Sequence, residues 1–163
     1  MTKLRQIIRR FQGDERGVAL VEAAITIPLV LLLSAGVFEF SKVLNTRLLL
    51  AAGVEDAARY MARCSSDWNT CVTRAQNLAA NGAVSSGSER VAGWLPEAVN
   101  ITPTSFVATD VSTGTQLYLS NKSTVDVVTV STSYSYPDVG FLSYLGFGAL
   151  TLSVSHQERV IGW

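Results

Sequence analysis

The sequence predicts an α+β protein: a long N-terminal helix, one or two short helices, then a small antiparallel β-sheet of about three to four strands. Three observations carry this. From Ala23 to Phe38 no residue is charged, and the apolar character reaches back to Val18, a run of about 20 residues that can cross a bilayer as a helix. Beyond it, apolar residues recur at helical spacing among scattered charges as far as Met61. After Pro96 the composition turns to Thr, Ser, Val and Tyr, with apolar and polar residues alternating.

Residues 1–17 read as a basic leader. Lys3, Arg5, Arg9, Arg10 and Arg16 stand against Asp14 and Glu15, so this stretch carries +5 − 2 = +3. The remainder holds 13 − 5 = 8 basic and 13 − 2 = 11 acidic residues, or −3. Ile7, Ile8 and Phe11 lie among the basic residues, as in a short amphipathic helix on a membrane surface. Basic residues before a span hold that end in the cytoplasm, so the N-terminus is expected inside and everything past Phe38 outside. A mildly acidic exported part without a basic stripe argues against a nucleic-acid partner.

Residues 18–38 form the expected transmembrane segment, and residues 39–63 an amphipathic extension of the same helix. Pro28 removes one backbone donor, which membrane helices tolerate. Glu55 and Arg59 stand four apart and can pair. Gly53 is the weak point of the extension. Continuous from 18 to 63, such a helix is roughly 70 Å long. Residues 64–163 then make the exported α+β head. Asp67 or Thr70 caps a second helix that stops at Gly82, and residues 88–95 suit a short third one before Pro96. Strands are expected over 100–109, 116–119, 124–136 and 150–160, with a turn at 112–115. In the third of these, Val128, Val130, Tyr134 and Tyr136 share one face, opposite Thr129, Ser131, Ser133 and Ser135. The loop from Phe141 to Phe147 is aromatic; it either folds back as core or stays exposed as a docking patch.

Chemistry is sparse. His156 is the one histidine and sits at a strand position. No serine or cysteine has a base and an orienting partner in context, and no glycine-rich phosphate loop is present. The chain is therefore expected to have no catalytic residue, cofactor or small-molecule substrate. Cys64 and Cys71 fall on the expected outside, where two thiols so close in sequence favour a disulfide. No further ligands stand nearby for a metal. The one charge in the apolar run is Glu22, and a charge in such a span is by default functional.

Gly17, then Val18-Ala19-Leu20-Val21-Glu22 and the apolar run from Ala23 to Leu33, resembles the start of type IV prepilins. The closer resemblance is to the TadE-like family of the Tad/Flp tight-adherence pilus. It rests on Arg16-Gly17, Val21-Glu22, the early Pro28, the helix reaching Ala57-Ala58-Arg59-Tyr60, and the late Ser133-Tyr134-Ser135-Tyr136-Pro137. The chain has Ala23 after the glutamate, where many relatives carry an aromatic. The resemblance implies cleavage by a prepilin peptidase between Gly17 and Val18. It also implies other pilins, the assembly machinery and the inner membrane as partners, and a role as a minor pilin or pseudopilin in an adhesive fibre. Cleavage would give Val18 a free ammonium four residues before Glu22, a partner that makes the carboxylate tolerable and sets the register between adjacent helices.

Three other readings stay open: a type II secretion pseudopilin, an uncleaved signal anchor, and a secreted protein cut after Ser34-Ala35-Gly36. Against the secreted protein stand the length of the apolar run, Glu22 within it, and the helix continuing past Gly36.

Overall fold

The computed structural model describes residues 15–120, 122–138 and 140–161. The basic leader as far as residue 14, with the amphipathic turn expected around Ile7, Ile8 and Phe11, lies outside them. The chain divides into two compact units, Met1–Ser41 and Lys42–Trp163.

The first unit is described by helix α1 (Glu15–Met61), as far as Ser41. Its apolar side chains face outward: Val18, Ile25, Leu31 and Leu33 are 60–68% exposed. Pro28 lies inside the helix without ending it. Ser34 donates its hydroxyl to the Val30 carbonyl at 2.8 Å, so this polar side chain is satisfied within its own helix.

The second unit opens with the rest of α1. Leu50, Val54, Ala57, Ala58 and Met61 recur at helical spacing and are buried. Helix α2 (Trp68–Asn81) follows. The Asp67 carboxylate caps it, accepting from the Thr70 amide at 3.1 Å. Gly82, left-handed at φ 72°, ends it and donates its amide to the Leu78 carbonyl. The buried face of α2 is Cys71, Ala75 and Ala79, with Ala80 beside them. Such small side chains let helix backbones approach closely. At Gly53 the approach is tight: a β-carbon there would lie 2.5 Å from the Ala79 carbonyl oxygen and 2.7 Å from the Trp94 ring. The weak point of the helix in sequence is thus the place where only glycine fits.

The short helix expected over 88–95 does not form. The stretch runs in bends and a turn, with Gly93 left-handed at φ 78°. Tertiary contacts override the local pattern. Trp94 is fully buried, and its indole N–H donates to the Thr132 hydroxyl at 2.9 Å. Tyr134 donates to the Ala92 carbonyl at 2.8 Å, Glu89 accepts from the Gly93 amide at 2.7 Å, and Arg90 pairs with Asp56 at 2.6 Å.

A 3₁₀ turn, Pro96–Ala98, leads into the sheet. Strands β1 (Val99–Val107), β2 (Thr124–Tyr136) and β3 (Leu150–Arg159) form an antiparallel meander in the order β1-β2-β3. The inner face of β2 is Val128, Val130, Tyr134 and Tyr136, all buried as the alternation requires. Thr132 shares that face; its hydroxyl accepts from Trp94 and donates to the Ala98 carbonyl at 2.9 Å. The strand expected over 116–119 is a single bridge, Thr109 to Gln116, and Leu119 is 85% exposed. The expected turn is present: Asp110 accepts from the Ser112 amide, and Gly114 is left-handed. Ser112 also holds the Asp110 carboxyl below its usual range by hydrogen bonds from its hydroxyl and amide. The aromatic loop divides. A one-turn helix, α3 (Phe141–Tyr144), turns Leu142 toward the core, while Tyr144 and Phe147 are 77% and 63% exposed.

Gly→Ala in an exposed helix stabilises by about 1 kcal/mol. At Gly53 the sign reverses, because the added methyl meets backbone rather than solvent. Gly53→Ala should destabilise the detergent-solubilised protein by roughly 1–3 kcal/mol, read from the denaturant midpoint of tryptophan fluorescence.

Candidate functional site

The residues singled out by sequence fall in two places. Gly17, Val18 and Glu22 lie on α1 in the first unit, and all three are exposed. Val18 and Glu22 are four apart, hence on one face of the helix. Gly17 has helical backbone, and a β-carbon there would meet nothing within 4 Å. Among the described residues, nothing stands where a side chain at this position would go. Among the described residues, one helix, Gly17–Met61, is long and apolar enough to cross a membrane. The stretch from Val18 to Phe38 is an exposed apolar surface interrupted by one carboxylate.

Cys64 and Cys71 lie in the second unit, just after α1 and in the first turns of α2. Their sulfurs are bonded at 2.00 Å, closing a loop that ties the two helices. Cys71 is fully buried and Cys64 nearly so, both within the core cluster. The same ends are tied from the far terminus, since Ile161 donates its amide to the Ala62 carbonyl at 3.0 Å.

Among the described residues, no group of three or more His, Cys, Asp or Glu is placed to hold a metal ion. His156 lies 3.2 Å from the Glu158 carboxylate on β3, two residues along the same strand face. The Asp138 carboxyl sits below its usual range because the Ser143 amide and hydroxyl hydrogen-bond it, a cap on α3. Burial, with a smaller push from Glu89, raises the Tyr134 hydroxyl. Asp138 is thus engaged in a loop, Tyr134 in core packing, and His156 with Glu158 on the strand. Lys42 stands 5.9 Å from the Tyr136 ring centroid, a contact sequence reasoning missed because it joins residues far apart in the chain.

The described residues thus hold one helix long and apolar enough to cross a membrane and a disulfide-tied α+β unit. Residues 17–59 match the family model of TadE-like protein. The match covers Gly17, Glu22, Pro28 and the helix through Arg59, and points to a component associated with the Tad pilus. No curated protein and no solved structure matches the chain.

The disulfide makes a separate prediction. Thiol labelling of the denatured, unreduced protein should find neither cysteine. Cys64→Ser should lower stability by roughly 2–3 kcal/mol through the lost loop constraint, while membrane insertion stays intact. Full labelling of both thiols contradicts the pairing.

Proposed function

We propose that this chain is a single-pass bacterial inner-membrane protein of the prepilin type. The N-terminus is cytoplasmic and the second unit periplasmic. A prepilin peptidase removes residues 1–17, and the mature protein joins a Tad/Flp surface fibre as a minor pilin or pseudopilin serving adhesion. It works by assembly rather than catalysis: helices bundle in the membrane, and the disulfide-tied unit decorates or caps the structure.

The observation that carries this reading is α1 itself. Its first 21 residues after Gly17, 18–38, hold one charge, lie bare of intramolecular cover among the described residues, and fall within the TadE-like match. That match favours the Tad system over a type II secretion pseudopilin. The free space around Gly17 supports the processing step, because the need for glycine there then comes from outside the folded chain.

Glu22 has a defined part. A carboxylate in an apolar span is costly unless paired. The ammonium created at Val18 lies four residues away in the same chain, and in a bundle the ammonium of one subunit meets Glu22 of the next. The pair fixes the axial register of neighbouring helices.

Glu22→Ala removes a costly group from the span, so the protein should insert and accumulate at the parental level. Register with neighbours is lost, and crosslinking to other pilins should drop by roughly tenfold or more, with fibres and adhesion falling alongside. Membrane immunoblot and in-cell crosslinking on one strain read both. Crosslinking and fibres like the parent's would contradict the register role.

A further inference from the structure

The two edges of the sheet are treated differently by the sequence. In an antiparallel ladder each residue directs its N–H and C=O to one side, and successive residues alternate. The Ala108 amide bonds the Ser123 carbonyl, so even-numbered residues of β1 face β2 and odd-numbered ones face outward. Pro103 falls at an outward position, where its missing donor takes nothing from the ladder and leaves nothing to pair. The outward Val99 carbonyl is taken by the Gln76 amide at 2.9 Å. The β1 edge is guarded.

The β3 edge is guarded only past Gln157, where Arg159 is charged and the Ile161 amide is taken by the Ala62 carbonyl; from Leu150 to Gln157 it carries no such device. The Val160 amide bonds the Asp126 carbonyl, which directs odd-numbered residues of β3 outward. Over its ten residues β3 pairs with β2 in unbroken register, with no proline, glycine or lysine and with β2 as its one sheet neighbour among the described residues. A long, regular edge of this kind is a template for another strand.

The side chains name the strand that fits. Thr151, Ser153, Ser155 and Gln157 are exposed on the outer face. Where this face already meets β2, directly opposed residues bond: Ser133 with Ser153 at 3.2 Å, and Gln157 with Thr129 at 3.1 Å. Laid antiparallel against itself with Val154 opposite Val154, β3 sets Ser153 against Ser155 and Thr151 against Gln157. Both kinds of pair repeat: serine on serine, and threonine on glutamine. The same register sets Leu152 against His156 and Leu150 against Glu158, so no like charges are opposed.

We propose that the β3 edge pairs with the β3 edge of a second copy of this chain, antiparallel about a two-fold axis through Val154. The sheets then join into one six-stranded sheet, an isologous contact that uses one patch twice. This contact is separate from helix bundling in the membrane and independent of the fibre reading, because it is read on purified protein.

The test uses the full chain in detergent micelles, with oligomeric state followed by sedimentation and chemical crosslinking. The parent should show a concentration-dependent dimer. Ser153→Lys with Ser155→Lys opposes two pairs of ammonium groups across the axis and should weaken self-association by roughly tenfold or more. Ser153→Asp with Ser155→Asp should do the same. Mixing the two variants should restore a dimer, now mixed, because each lysine meets an aspartate. All four substitutions lie on the exposed face, so far-ultraviolet circular dichroism and the thermal midpoint should stay close to the parent's. A monomeric parent overturns the proposal. So does a dimer that survives both variants, which places association on the helix, or the absence of a mixed dimer.

Discussion

The seat of Trp94 is the interaction on which the second unit depends. The indole ring rests where Gly53 leaves the surface of α1 open, with the Ala79 carbonyl closing the same space. Its N–H reaches across to Thr132 on β2, and the Thr132 hydroxyl passes the bond on to the Ala98 carbonyl at the entry to β1. One side chain thus fixes the distance from helix to sheet and satisfies a buried donor, which a fully buried tryptophan needs. The small residues of α2 and the left-handed Gly93 both serve this placement. A bulkier α2 face would hold the two helices apart, and a helix over 88–95 would carry the ring elsewhere.

Two glycines on one helix show how function separates from folding. Gly53 is demanded from within, by atoms less than 3 Å from an imagined methyl. A methyl at Gly17 would meet nothing within 4 Å among the described residues, and each glycine in a helix costs about 1 kcal/mol relative to alanine. Glu22 poses the same question: its side chain is exposed, and its charge would be a liability in lipid. On the proposed reading, a processing enzyme would supply the reason for Gly17, and neighbouring subunits the reason for Glu22.

Much of this was legible in the sequence because it follows from period and local chemistry. The apolar run marked α1, Asp67 and Gly82 marked the ends of α2, and the Val–Thr alternation gave β2 its buried and wet faces. What was not legible depended on contacts far apart in the chain. Residues 88–95 have acceptable helical spacing, and nothing nearby in sequence reveals that Trp94 pairs with Thr132, 38 positions away. Residues 116–119 have the composition of a strand but find a single bridging partner. Thr132 lies among serines and threonines that face solvent, and only its even-numbered place in the alternation distinguishes it. The aromatic loop at 141–147 is read poorly by composition, because a one-turn helix sends its residues in both directions.

The central claim is that α1 is the membrane-embedded start of a mature, processed subunit. The most direct measurement is the N-terminal residue of the protein recovered from membranes, by Edman degradation or terminal-peptide mass. Processing after Gly17 gives a chain beginning Val18-Ala19-Leu20-Val21-Glu22. An intact Met1 or Thr2 would make the protein an uncleaved anchor, and a start at Val37 would make it a secreted domain; either contradicts the account.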